Sequence, residues 1–348
     1  MDGKATTRTK FNGRYDDGIK SFWDNVSSEM KDQGISWAMI DNALGMKQGS
    51  SASLKSHDTL VSIGIAARLA DVLNVSIDEL WFGKRKNSIG LDDSIRLKQI
   101  YEDTRKYSEE GRYSIGESVV DLPKPGKSIY YDHDLSKGLV EGRFISPAIS
   151  ISIEDTLVAA KRMKEKASLV LCMANRRNPE YGAENGLNTQ EAHLIRSSNY
   201  YLTLLDIKDK AYPINRKYGG IYSPSVTVFR DSERKPYDLM KEPFSISIVA
   251  VPALYKPILE EGQYSDADRT QMELKVRTIL NIAIRQKHDT LILSAFGCGA
   301  SGNPPELVAR LFKEALEEPV YSTNFREIVF AINDSETAET FRRVLLSR

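Results

Sequence analysis

The chain has 348 residues, 41% of them hydrophobic and 28% charged, which fits a globular protein of two domains and excludes a fibrous or wholly disordered chain. Its 48 Lys and Arg balance 48 Asp and Glu, so no global charge favours nucleic acid, and such contact must rest on a local face. No apolar run approaches the roughly 20 residues that span a bilayer, and the polar start MDGKATTRTKFNGRYDDG has no signal-peptide core. The two cysteines, Cys172 and Cys298, make no disulfide framework, and with four histidines they show no metal-ligand spacing. A reducing cytoplasm is the expected location, with no membrane, metal or cofactor.

Residues 1–17 are polar and aperiodic and read as a disordered tail. From Ile19 an apolar face of Phe22, Trp23, Val26 and Met30 predicts a helix that Gly34 ends. Ser36 caps a second helix carrying Met39, Ile40 and Leu44, which Gly45 stops. A Ser-rich segment around Lys47 to Lys55 reads as a third. Asp58 leads a fourth, with Leu60, Ile63, Ala66, Leu69 and Leu73 on one face and Asn74 at its end. Ser76-Ile77-Asp78-Glu79 is a capping box for a short last helix. The basic triplet Lys84-Arg85-Lys86 and the linker 87–91 then mark a boundary.

After residue 92 strands and helices alternate. A helix spans Ile95 to Glu110, AISISI (148–153) alternates as a half-buried strand, and a helix with Leu157, Ala160 and Met163 follows. SLVLCMA (168–174) is a buried strand. Further strands are expected at Val226–Phe229, Ile246–Val251, Thr290–Ser294 and Ile328–Ile332. A long helix from Asp266 to Lys287 is capped by Ser265, and the last helices fall near 306–317 and 338–346. This order predicts a parallel or mixed sheet covered on both faces.

Two strands release Asn- and Gly-rich loops into helix starts. One is NRRNPEYGAENGLNTQE (175–191), after SLVLCMA. The other is GCGASGNPPE (297–306), after TLILSA. Loops of this kind hold phosphates and sugars in α/β proteins, so the two are expected to form two walls of one nucleotide site. Gly297, Cys298, Gly299 and Ala300 let backbone N–H groups approach a pyrophosphate, and Gly302 and Asn303 extend the nest. Asn175 and Asn178 suit ribose hydroxyls. Gly182 and Gln190 belong to the same wall, and Phe229 or Tyr222 is a candidate aromatic wall.

The N-terminal helices resemble the Cro/repressor-type helix-turn-helix family, most closely over IAARLADVLNVSIDELWFG (65–83). That resemblance makes Lys47 to Lys55 the recognition helix, with Gln48, Ser50, Ser51 and Lys55 facing DNA as part of a homodimer. Residues 1–86 hold 12 Lys and Arg against 11 Asp and Glu, a net of +1, so the affinity would depend on clustering or pairing.

Residues from about 92 onward resemble the microbial-type poly(ADP-ribose) glycohydrolase family. The blocks GRYSI, IEDTLVAAKRM, NRRNP, TQE with RSSNYY, IYSPSVTVFRD and AFGCGASGNPPEL stand in the family's order and spacing. The resemblance implies a three-layer α/β/α macrodomain with a mixed sheet over 92–348, after a small all-α helix-turn-helix domain over 18–86. It also implies ADP-ribose, or a related nucleotide, as ligand. The chain departs from the pattern at the chemistry. The family's Gly-Gly-Gly reads Glu180-Tyr181-Gly182, and its Gln-Glu-Glu reads Gln190-Glu191-Ala192. The second Glu of that triplet is the family's general acid, worth roughly 10²–10⁴-fold in rate. Here it is Ala192, which leaves Glu191 as the neighbouring carboxyl. An aromatic after GCGA is Ser301, and a glycine after Ser-Pro is Ser225.

The leading expectation is therefore a DNA-binding regulator, bacterial or phage, whose macrodomain binds ADP-ribose without cleaving it. One alternative is an ADP-ribosyl or poly(ADP-ribose) glycohydrolase with a displaced catalytic carboxylate. Another is a non-catalytic interaction protein in phage defence.

Overall fold

The computed structural model describes residues 14–57, 59–73, 75, 80–81, 91–166, 168–232 and 237–347. They fall into two compact units, Met1–Ser88 and Ile89–Arg348.

In the first unit the described helices are α1 (Arg14–Gln33), α2 (Trp37–Leu44), α3 (Ser50–Ser56) and α4 (Ile63–Val72). Their apolar faces meet in one core of Phe22, Trp23, Val26, Met30, Ile40, Leu44, Leu69 and Leu73. Ser36 caps α2 by accepting from Met39 N, and Gly45 ends it at φ 66°. The first helix starts at Arg14, inside the expected tail. The fourth is capped by Ser62, not Asp58, and Leu60 is exposed rather than in the core. Asp58, Asn74, the capping box 76–79, the basic triplet 84–86 and the linker residues 87–90 lie outside the described residues.

The third helix is shorter than the expected recognition helix because Gly49 enters it at φ 87°. Asp41, from α2, holds its start: the carboxylate accepts from Gly49 N at 2.6 Å and Ser51 N at 2.8 Å. Two orphan donors of a helix start are thus satisfied from another helix. Asp41→Ala is expected to lower the unfolding midpoint of this unit, read by the fluorescence of Trp23 and Trp37, and Asp41→Asn to recover part of the loss. An unchanged midpoint in the Ala variant would show that the contact contributes nothing.

The second unit opens with α5 (Leu91–Glu110) and the hairpin β1 (Arg112–Ile115)–β2 (Ser118–Asp121). The remaining strands are β3 (Ile129–Tyr131), β4 (Ala148–Ser152), β5 (Leu169–Met173), β6 (Gly220–Arg230), β7 (Leu239–Val251), the short hairpin β8 (Leu259–Glu260)–β9 (Gln263–Tyr264), β10 (Thr290–Leu293) and β11 (Glu327–Ala331). Seven of them form one mixed sheet in the order β3-β6-β7-β5-β10-β11-β4. From β7 to β4 every neighbouring pair is parallel, while β3, β6 and β7 pair antiparallel.

Alternation along the inner strands sends side chains to two cores. Leu169 and Leu171 join Leu291, Leu293, Ile328 and Phe330 on one face. That face is covered by α11 (Asp266–Arg285), α12 (Pro305–Leu316) and α14 (Ser335–Leu345), with α13 (Pro319–Ser322) beside them. Val170 and Cys172 join Ile292, Val329 and Ala331 on the other. Here α6 (Thr156–Arg162), α8 (Gln190–Ser197) and α9 (Tyr200–Leu205) pack, with α7 (Tyr181–Glu184) and α10 (Lys208–Ala211) in the connections. Burial on both faces explains why β5 and β10 carry apolar side chains on both faces, with Thr290 the one polar residue in the two strands.

Candidate functional site

Both Asn- and Gly-rich loops leave the C-terminal ends of parallel strands that are direct neighbours, β5 and β10. The register between these strands covers only Leu291 with Leu169 and Ile292 with Val170. Above that point Gln190 takes over the pairing of β5. Its Oε1 accepts from Met173 N at 2.9 Å, and its Nε2 donates to Leu171 O at 2.7 Å. Gln190, placed in the nucleotide wall by sequence reasoning, is thus engaged with backbone at the mouth between the strands.

Thr189 caps α8 by accepting from Ala192 N at 3.2 Å, which fixes the first turn. Next to Gln190, Glu191 is 4% exposed. Its Oε2 accepts from Asn175 N at 2.9 Å, and its Oε1 is buried with no hydrogen-bond partner. Burial lifts its carboxyl to about 8, against the weaker opposing effect of the Asn175 N–H. Glu191 is therefore a carboxylic acid that holds its proton at neutral pH. Ala192 is buried, and a Cβ on Gly182 would stand 3.2 Å from its methyl group. The acid position of the resembled family thus faces the only glycine left in the altered Gly-Gly-Gly run.

The rest of the 175–189 loop folds on itself. Asn175 Oδ1 accepts from Arg177 N and Asn178 N, and Asn178 Oδ1 accepts from Glu180 N. These turns occupy the amide oxygens, and the NH₂ groups of both residues make no bond within the described protein. Glu180 is buried near Tyr101, and its carboxyl is raised by burial and by Glu184, with Lys208 opposing. Tyr181 is 51% exposed.

The second loop makes a nest. Cys298 N donates to Ala295 O, Gly302 N to Gly299 O and Asn303 N to Gly297 O. The N–H groups of Gly299, Ala300 and Ser301 have no partner among the described residues. Three consecutive free donors just before a helix start suit an anion. Asn303 does a different job from the one expected. It is 1% exposed, donates to Leu254 O and Gly297 O, and accepts from the Tyr264 hydroxyl, so its side chain fastens the loop. Burial pushes the Cys298 thiol up to about 12, which leaves it a packing group rather than a nucleophile.

Neither proposed aromatic wall is at this end of the sheet. Phe229 is wholly buried with Tyr113 and Leu122 beneath the β1–β2 hairpin. The Tyr222 hydroxyl bonds His288 and Ser247, near the strand starts. Ser225 sits at φ 56°, in the left-handed region that suits the glycine of the resembled family.

A polar cluster behind α8 had no sequence signal, because its members are far apart in the chain. His193 Nδ1 lies 2.7 Å from the Tyr237 hydroxyl, and its Nε2 is 3.5 Å from Asp155, the cap of α6. Burial alone would lower the ring's pKa, but the Asp155 carboxylate outweighs it and lifts it to about 9. Arg196, fully buried, donates to Tyr237 Oη and Leu187 O. His193 thus ties α8 to α6 as a cation.

Residues 94–231 match the family model of the microbial-type PARG catalytic domain. Among solved structures, poly(ADP-ribose) glycohydrolase from Thermomonospora curvata is similar at a TM-score of 0.63 and 25% identity, over 72% of this chain and 99% of that one. The same enzyme bound to the inhibitor ADP-HPD gives 0.60 and 25%, over 72% and 99%. A point mutant of the Deinococcus radiodurans enzyme in complex with ADP-ribose gives 0.51 and 26%, over 71% and 91%. No curated protein matches the chain by sequence.

These likenesses overturn the reading as a DNA-binding regulator and favour the glycohydrolase alternative. They lend no support to a helix-turn-helix domain, to DNA or to a homodimer. The geometry agrees at one expected DNA contact: Ser51 is buried, its N–H held by Asp41. Lys55 lies 6.0 Å from the centre of the Trp37 ring, Gln48 is exposed and Ser50 is half-buried. Among the described residues no helix is long and apolar enough to cross a membrane.

Proposed function

We propose that the larger unit binds an ADP-ribose unit across the ends of β5 and β10 and hydrolyses the glycosidic bond at its ribose, with Glu191 as proton donor. The observation that carries this is a carboxyl, buried with one oxygen unpartnered, on the first turn of α8, one residue from the family's acid position. The matched family model and the ADP-ribose-bound relatives supply the substrate class.

In this reading the free N–H groups of Gly299, Ala300 and Ser301 hold the diphosphate, reinforced by the positive end of α12. Gly297, Cys298 and Gly302 shape that nest, and Gly182 permits close approach of the sugar. The amide NH₂ groups of Asn175 and Asn178 donate to ribose hydroxyls. Glu191 gives its proton to the leaving oxygen as the bond to the anomeric carbon breaks. Water adds to that carbon, and its proton returns to Glu191.

Release of ADP-ribose from poly(ADP-ribose) and from mono-ADP-ribosylated protein, followed chromatographically, tests the reading. The wild type is expected to release it, and Glu191→Gln to lose the activity. An inert wild type that gains activity on Ala192→Glu would remove Glu191 from the role and leave binding alone.

A further inference from the structure

Lys275 is the anomaly of the second unit. It lies in the middle of α11, is 3% exposed, and has no hydrogen bond or ion pair among the described residues. Burial and the guanidinium groups of Arg176 and Arg216 depress its ammonium to about 8.

Backbone contacts bring these cations together. One helical turn before Lys275, Gln271 donates to Arg216 O at 3.3 Å. Three residues after it, Thr278 lies against Gly220 at the start of β6. Arg176 is clamped to the same loop: its carbonyl accepts from Ile214 N at 2.9 Å, and its guanidinium donates to Ile214 O. Arg177 adds to the crowding, since Arg216 and Arg177 both depress Arg176 after burial has done so. None of the four forms a salt bridge among the described residues. An ammonium on an almost wholly buried side chain without a carboxylate beside it is costly, and like charges near it raise that cost, so the place suits an anion.

The place is at the nucleotide end of the sheet, because β6 runs antiparallel to β7 and starts where β5, β7 and β10 finish. It is nevertheless separate from the nest after β10. Strands β6 and β10 are three positions apart, or roughly 14 Å at about 4.8 Å per strand. One diphosphate cannot reach both places, whereas a chain of ADP-ribose units carries a diphosphate on every unit.

We propose that Lys275, Arg176 and Arg216 form a second anion site, which holds the diphosphate of the neighbouring unit when the substrate is a chain of ADP-ribose units. The substrate class rests on the proposed function, but the anion site itself does not.

Calorimetry on the full chain tests it, with three probes: pyrophosphate, ADP-ribose and a two-unit ADP-ribose oligomer. The oligomer is titrated in the Glu191→Gln background to prevent cleavage. The oligomer is expected to bind about tenfold or more tighter than ADP-ribose. Lys275→Met and Arg216→Gln should each erase most of that gain while leaving ADP-ribose within about twofold. Equal loss for both ligands would place the cations in the primary site and overturn the proposal, as would an unchanged gain. Pyrophosphate separates this outcome from the activity. Loss of one pyrophosphate site in Lys275→Met, counted against wild type, upholds the anion site even where no ADP-ribose is released, and the same number of sites with the same affinity in both chains overturns it. Lys275→Met removes a buried charge, so an unchanged or higher unfolding midpoint shows that the variant is folded. Arg216 is exposed and provides the second, structurally mild variant.

Discussion

Glu191→Gln is expected to lower ADP-ribose release by roughly 10²–10⁴-fold and, in the same molecule, to raise stability in alkaline solution. Both effects follow from one buried proton. The folded carboxyl titrates at about 8, well above the ordinary value of 4.5. Between those values the native state binds the proton more tightly than the unfolded chain does. Stability therefore falls as the pH rises through this window, and the full cost of burying the carboxylate is present above it. That cost is on the order of a few kcal/mol. Glutamine keeps an acceptor for Asn175 N and never ionises. The midpoints of variant and wild type should thus lie close at pH 5 and diverge by pH 9, with the variant higher. The wild-type rate should fall on an alkaline limb near pH 8. A rate that is flat from pH 6 to 9, or midpoints that stay parallel, would show that Glu191 is not the titrating acid.

Gly297→Ala should have the largest effect on ligand binding. The position is at φ 75°, and a Cβ there would stand 2.6 Å from Ala253 Cβ and 2.7 Å from Asn303 Nδ2. Left-handed backbone alone costs a non-glycine residue about 1–2 kcal/mol, and the clash displaces the amide that fastens the loop. Affinity for ADP-ribose should drop at least about tenfold, and the unfolding midpoint should fall with it. Two neighbours separate the causes. Gly302→Ala meets open space at φ 74°, so it carries backbone strain without a clash. Gly299→Ala meets neither strain nor protein atoms, so it should spare stability and weaken only the ligand. Binding that is equally strong in all three variants would remove this loop from the site.

Much of the second unit was legible in the chain. Continuous apolar runs marked β5 and β10, and Ser265 does cap α11, accepting from Asp268 N. The edges were not legible. β3 is three residues long, and β6 begins six residues before its expected start because Pro224 and Ser225 form a bulge that hides the alternation. The two loops could be found from Gly and Asn content, but the work of each side chain could not. Asn303 and Gln190 looked like ligand contacts and are bonded to backbone, since an amide in a Gly-rich loop serves either purpose. Lys275 gave no signal at all. Its burial depends on a loop about 60 residues earlier, which no periodicity reveals.

In the proposed reaction the tie between Gln190 and β5 would bear on rate as well as architecture. A side-chain amide there reproduces the donor and acceptor of a peptide group, so α8 begins as though grafted onto the strand. The neighbouring carboxyl then inherits the stiffness of the sheet. In the proposed reaction a proton donor held in so rigid a frame would need little reorganisation when charge develops on the leaving oxygen, and such preorganisation is where enzymes gain most of their electrostatic advantage.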